Sequence, residues 1–166
     1  YDIGLVIPAE PLFRSRDSVL KRPEHLKLIY TLMFGMPGIP TIYYGSEWGE
    51  KADKSMGDPA LRPCFEKPQW NELTDHIAKL CKAKAESQAL NYGDFTSLLL
   101  TNRQCIFRRA CDKGRVLTVI NADEASFHAD FNAEAGCGID LITGKKIDFG
   151  GGLDIPSYTS YLIELE

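Results

Sequence analysis

Four carboxylates, Glu47, Glu50, Asp53 and Asp58, fall within one stretch rich in Gly, Asp, Lys and Pro that runs from position 46 to 69. Paired carboxylates can act as general acid and general base where burial raises one pKa and a rigid frame fixes their separation. An open loop supplies neither condition, so no catalytic residue is assigned within the chain. His25, His76 and His128 are dispersed and have no partners at metal-ligand spacing. Cys64, Cys81, Cys105, Cys111 and Cys137 form an odd set without a C-x-x-C pair and read as free, mostly buried thiols. No metal and no cofactor is expected. Unpaired cysteines fit a reducing compartment, which makes a cytoplasmic location the expectation. Trp70 offers an aromatic ring, either as a stacking platform or as packing beside a helix start.

The elements that must position these groups follow from periodicity. Residues 1–22 carry none, being interrupted by Gly4, Pro8 and Pro11. Pro23 and Glu24 then open a helix in which Leu26, Ile29, Tyr30 and Met33 recur at helical spacing, ending near Gly35. Leu28, Leu32 and Phe34 fill the other faces, so burial on several sides is expected. Met36-Pro37-Gly38-Ile39-Pro40 stops this helix, and Thr41-Ile42-Tyr43-Tyr44 predicts a short strand ended by Gly45. Unbroken apolarity is the pattern of a parallel strand covered on both faces, which needs neighbouring strands. The loop beginning at Ser46 is long enough to suggest a function. A second, amphipathic helix opens at Trp70, capped by Asn71 or Thr74, with Leu73, Ile77, Leu80 and Cys81 as its stripe. Beyond Asn91-Tyr92-Gly93-Asp94 the pattern changes to short strands, expected over residues 95–101, 104–109, 115–121, 126–131, 138–141, 145–149 and 157–165. Asp112-Lys113-Gly114 and Thr143-Gly144-Lys145 are hairpin-type turns.

The expected architecture is thus an α+β chain divided near Leu90, with residues 1–90 helical and loop-rich and residues 91–166 an all-β sandwich. With 166 residues, 44% of them hydrophobic and 25% charged, the chain has the composition of a globular protein and not of a fibre or a disordered tail. A net charge of -4 with scattered lysines and arginines argues against nucleic acid as a partner. The longest apolar stretch, residues 26–40, is broken by Lys27, glycines and prolines and is too short to span a bilayer, so no membrane partner is expected.

The run from Met36-Pro37-Gly38-Ile39-Pro40-Thr41-Ile42-Tyr43-Tyr44-Gly45 to Ser46-Glu47-Trp48-Gly49 closely resembles the eighth barrel strand and following loop of α-amylase-family glycoside hydrolases. Pro23-Glu24-His25-Leu26 before it and Gly57-Asp58-Pro59-Ala60-Leu61-Arg62-Pro63 after it keep the order of that family. So do Val116-Leu117-Thr118-Val119-Ile120-Asn121 and Asp140-Leu141-Ile142-Thr143-Gly144 farther on. The resemblance spans residues 22–166 and is closest to cyclomaltodextrinases, neopullulanases and maltogenic amylases. It implies the last strand and helices of a (β/α)8 barrel followed by a C-terminal β-sandwich. It further implies that the parent enzyme hydrolyses α-glucosidic bonds in maltooligosaccharides or cyclodextrins.

Several site residues come with the resemblance. Tyr44, Glu47 and Trp48 would shape the sugar cleft, as loops after barrel strands do, although packing of the tyrosines and an ion pair for Glu47 are the plainer alternative. Asp58 and Arg62 are spaced like a family pair that binds glucose hydroxyls, one arginine of the pattern being absent; a loop salt bridge is the alternative. The family's three catalytic carboxylates lie on strands four, five and seven, upstream of this sequence. Its Asn-His-Asp motif has no counterpart here, where Glu10-Pro11-Leu12 stands. The chain is therefore expected to be catalytically silent alone, with the rest of the barrel and an α-glucan as partners of the whole enzyme. A stand-alone glucan-binding or structural β-sandwich module is the rival reading. The apolar helix and lone strand also predict self-association through residues 41–44, giving a homo-oligomer.

Overall fold

A computed structural model describes residues 24–50 and 64–166. Helix α1, Glu24–Gly35, buries Leu28, Tyr30, Thr31 and Phe34, and its other apolar positions meet a second helix and a sheet. That second helix, α2, Glu72–Glu86, begins in a reciprocal cap: the Asn71 side chain accepts from the amides of Leu73 and Thr74, and Thr74 Oγ1 accepts from the Asn71 amide. Its buried stripe is Leu73, Ile77, Leu80 and Lys84. Cys81, expected on that stripe, is exposed, because one further residue rotates it about 100° away from Leu80. None of the five free cysteines is fully buried, contrary to expectation. Helix α3, Gln88–Tyr92, was not anticipated; Ser87 Oγ caps it by accepting from the Leu90 amide at 3.2 Å.

Eight strands follow: β1 Asp94–Leu100, β2 Gln104–Cys111, β3 Gly114–Asn121, β4 Phe127–Ala129, β5 Cys137–Asp140, β6 Lys146–Asp148, β7 Leu153–Ile155 and β8 Thr159–Leu165. Six form one antiparallel sheet in the order β1-β2-β3-β8-β5-β6, and β4 pairs with β7 in a second, small sheet. Strand β7 lies where no strand was expected; three residues between glycines and a proline are too few for alternation to stand out, yet Leu153 and Ile155 face inward and Asp154 outward.

The six-stranded sheet is covered on both faces. On one, Val116 and Leu162 join Tyr30, Phe34, Leu80 and Leu90 of the three helices in a single core. On the other, Leu117, Val119 and Ile163 meet Ala129, Leu153 and Ile155 of the small sheet. The chain is a layered mixed structure, so the sandwich expectation holds for one face while the helices supply the other. Residues 41–44, expected to be a strand, form no ladder; a strand requires a neighbour for its amides and carbonyls, and among the described residues none lies beside it. Among those residues no helix is long and apolar enough to cross a membrane.

Arg109 joins helix to sheet. It is 2% exposed and donates from Nε and Nη2 to the Gly93 carbonyl and from Nη1 to the Gly35 carbonyl at the end of α1. Gly35 permits this approach: a Cβ there would lie 2.3 Å from Thr118 Oγ1.

Candidate functional site

The turn after the former strand is built by local geometry and then anchored from below. Gly45 and Gly49 take left-handed φ values of 83° and 75° around a 3-10 turn, Ser46–Trp48. The Ser46 amide donates to the Tyr43 carbonyl at 3.0 Å, and the Glu50 amide to the Gly45 carbonyl at 2.9 Å. Three consecutive carbonyls of the turn are then gripped by helix-borne side chains. Tyr30 of α1 donates to Ser46 O at 3.0 Å, Thr74 of α2 to Glu47 O at 3.0 Å, and the cap residue Asn71 to Trp48 O at 2.9 Å. The turn is therefore tied to α1 and to the two residues that cap α2.

Tyr44, Glu47 and Trp48 lie on and beside this turn. Tyr43 and Tyr44 pack with ring centroids 4.4 Å apart, and the Phe65 ring sits edge-on to both Tyr44 and Trp48. Tyr44 is exposed, whereas Glu47 and Trp48 are half-buried. The Ser46 hydroxyl, Glu47 Oε2 and Trp48 Nε1 are buried and have no hydrogen-bond partner among the described residues. Asp58 and Arg62 lie outside the described residues. Trp70 is exposed, and its indole donates to Asp75 at 2.8 Å. Aromatic rings beside a carboxylate can hold a sugar by stacking and by accepting from its hydroxyls.

A second feature escaped the sequence reading. An open cleft of about 410 Å³ lies between α1, α2, the turn after β5 and the start of β8. His76 lines it, is buried, and has Nε2 2.9 Å from Thr31 Oγ1 and 3.1 Å from the Lys27 carbonyl. Burial pushes its pKa down. Thr31 lies 45 residues from His76 in sequence, and Ser160, 2.9 Å from the Thr31 hydroxyl, lies 129 residues from Thr31; no local spacing could reveal the group. His128, on the small sheet, has Nδ1 2.6 Å from Asp154 and Nε2 3.5 Å from Asp130, and the Asp154 hydrogen bond raises its pKa. Among the described residues no cluster of His, Cys, Asp or Glu is arranged to hold a metal ion.

Known proteins are similar to the chain in sequence and in fold. No family model matches the chain. It is 30% identical over 131 residues to the cyclomaltodextrinase of Thermoanaerobacter pseudethanolicus, a match covering 77% of the chain and 22% of that protein. With the maltogenic α-amylase of Bacillus acidopullulyticus it is 29% identical over 122 residues, 68% of the chain and 20% of the relative. The chain thus spans about a fifth of the length of these relatives. An Anoxybacillus α-amylase structure superposes with a TM-score of 0.73 at 26% identity, covering 86% of the chain and 32% of that protein. The α-amylase of Geobacillus thermoleovorans, solved with acarbose, gives 0.75 at 23% identity and shares the fold. On sequence and fold together, the chain is similar to a portion of α-amylase-family glycoside hydrolases, a cyclomaltodextrinase and a maltogenic amylase among them.

Proposed function

We propose that the chain is a C-terminal piece of an enzyme that hydrolyses α-glucosidic bonds in starch-derived maltooligosaccharides or cyclodextrins, the catalytic carboxylates belonging to the remainder of the parent polypeptide. The carrying observation is the coverage: 77% of this chain corresponds to 22% of a cyclomaltodextrinase. In this reading residues 24–50 and α2 end a (β/α)8 barrel, and residues 41–44 become a strand once a neighbouring barrel strand supplies their hydrogen bonds. The anchored turn then lines the sugar cleft with Tyr44, Glu47 and Trp48, and Asp58 and Arg62 bind glucose hydroxyls. The partnerless buried atoms of Ser46, Glu47 and Trp48 support it, since groups of the parent would satisfy them. The barrel's remainder and an α-glucan are the partners, and the free cysteines favour the cytoplasm.

The test is turnover of maltotriose and a cyclodextrin by the purified chain. None is expected; turnover that disappears in Glu47→Gln would overturn the reading. Ile39 is 93% exposed and Tyr43 and Tyr44 are exposed beside it, so the isolated chain should self-associate through residues 41–44. A monomer in light scattering contradicts that.

A further inference from the structure

The cleft beside His76 has a definite hydrogen-bonding character. A carbonyl only accepts, so the 3.1 Å approach of His76 Nε2 to the Lys27 carbonyl requires a proton on Nε2. Thr31 donates to that same carbonyl at 2.9 Å, the back-bond a helical threonine makes, and its oxygen accepts from His76 and from Ser160. With Nε2 protonated, its one hydrogen is shared between the Lys27 carbonyl and Thr31 Oγ1, and the neutral ring is left with Nδ1 as an unprotonated acceptor on a residue lining the cleft. Burial of the ring, which disfavours the imidazolium, keeps it so at neutral pH.

Such an acceptor calls for a hydroxyl or amine hydrogen and offers nothing to an anion. Glu72 and Asp75, also lining the cleft, add acceptors, while Lys27 and Lys79 balance their charge and contribute donors. The lining thus wants a ligand that both donates and accepts and carries no net charge. Tyr158 adds a half-buried ring, tilted against His25 with centroids 5.3 Å apart. Its backbone φ of 47° is left-handed, a conformation tyrosine rarely takes and one that fixes where the ring enters the cleft.

We propose that this cleft binds an uncharged polyhydroxylated ligand, one pyranose ring of a sugar, at a site separate from the turn at residues 45–49. The polyol chemistry is read from the cleft itself; only the choice of an α-linked sugar as probe rests on the function proposed above. The experiment is a titration of the ¹⁵N-labelled 166-residue chain with maltotriose, followed by amide shifts and the His76 imidazole nitrogens. Saturable shifts at residues 142–143 and 158–160 and at His76 Nδ1 are expected, with inorganic phosphate leaving those signals in place. Tyr158→Gly, which tolerates the positive φ and removes the ring, should weaken binding about fivefold, and Lys79→Ala, a surface change that spares the fold, should weaken it as well. Shifts confined to residues 44–48 would overturn the cleft while sustaining the α-glucan reading. Equal shifts with phosphate, no shifts in the cleft at the highest soluble sugar concentration, or undiminished binding in both variants would also overturn it.

Discussion

A buried guanidinium must place its donors, and Arg109 spends them on the carbonyls of Gly93 and Gly35. Replacing it by methionine keeps most of the volume and leaves both carbonyls unsatisfied, so Arg109→Met should lower stability by about 3 kcal/mol in urea titration. The two histidines with displaced pKa values act in opposite senses. His128 is held as the cation chiefly by Asp154, so its stabilising effect is complete below the ordinary histidine pKa of about 6.5 and is lost as pH rises through its higher folded value. His128→Gln should therefore depress Tm at about pH 6 and leave it nearly unchanged at about pH 9, as read by calorimetry. Burial lowers the folded pKa of His76, and below about 6.5 the unfolded chain takes up a proton that the native chain refuses. Acidification should thus drain stability through His76 while His128 retains its part.

The helices show what local sequence can and cannot announce. The Asn71 cap was legible because its partners lie two and three residues on, and its loss in Asn71→Ala should cost about 1 kcal/mol. The same variant frees the Trp48 carbonyl, so Trp48 and Trp70 fluorescence should change before global unfolding; coincident fluorescence and circular dichroism transitions would count against that coupling. Leu80, fully buried where α2 meets the sheet, should cost about 2–5 kcal/mol as Leu80→Ala in the same titration. All seven expected strands pair within a few residues of where alternation and turns put them, the turn at Asp112 and Lys113 included. Among them residues 126–131 contract to Phe127–Ala129, whose partner β7 was invisible until the two were paired. Residues 41–44 failed as a strand for the complementary reason: their composition describes an environment these described residues do not supply.

At the scale of the whole molecule, the sequence divides near Leu90 but the packing does not. Tyr30, Phe34, Leu80 and Leu90 lie before or at that boundary and share a core with Val116 and Leu162 beyond it. The turn carrying Tyr44, Glu47 and Trp48 was legible from a contiguous resemblance, whereas the cleft at His76 depends on contacts across 45 and 129 residues. Expressed alone, residues 91–166 would expose that apolar face of the sheet, and they should aggregate or give a poorly dispersed amide spectrum. A sharp, cooperative melt from that segment would refute the shared core.

The close seat of Gly35 on Thr118, clamped by Arg109, also sets rules for recombination. A chimera that joins residues 91–166 of this chain to helices taken from another protein separates two halves of one lock. Exchange is tolerable where the crossover carries the last turn of α1 together with β2 and β3, and a seam at the apparent boundary near residue 90 parts the arginine from the carbonyl it was fitted to.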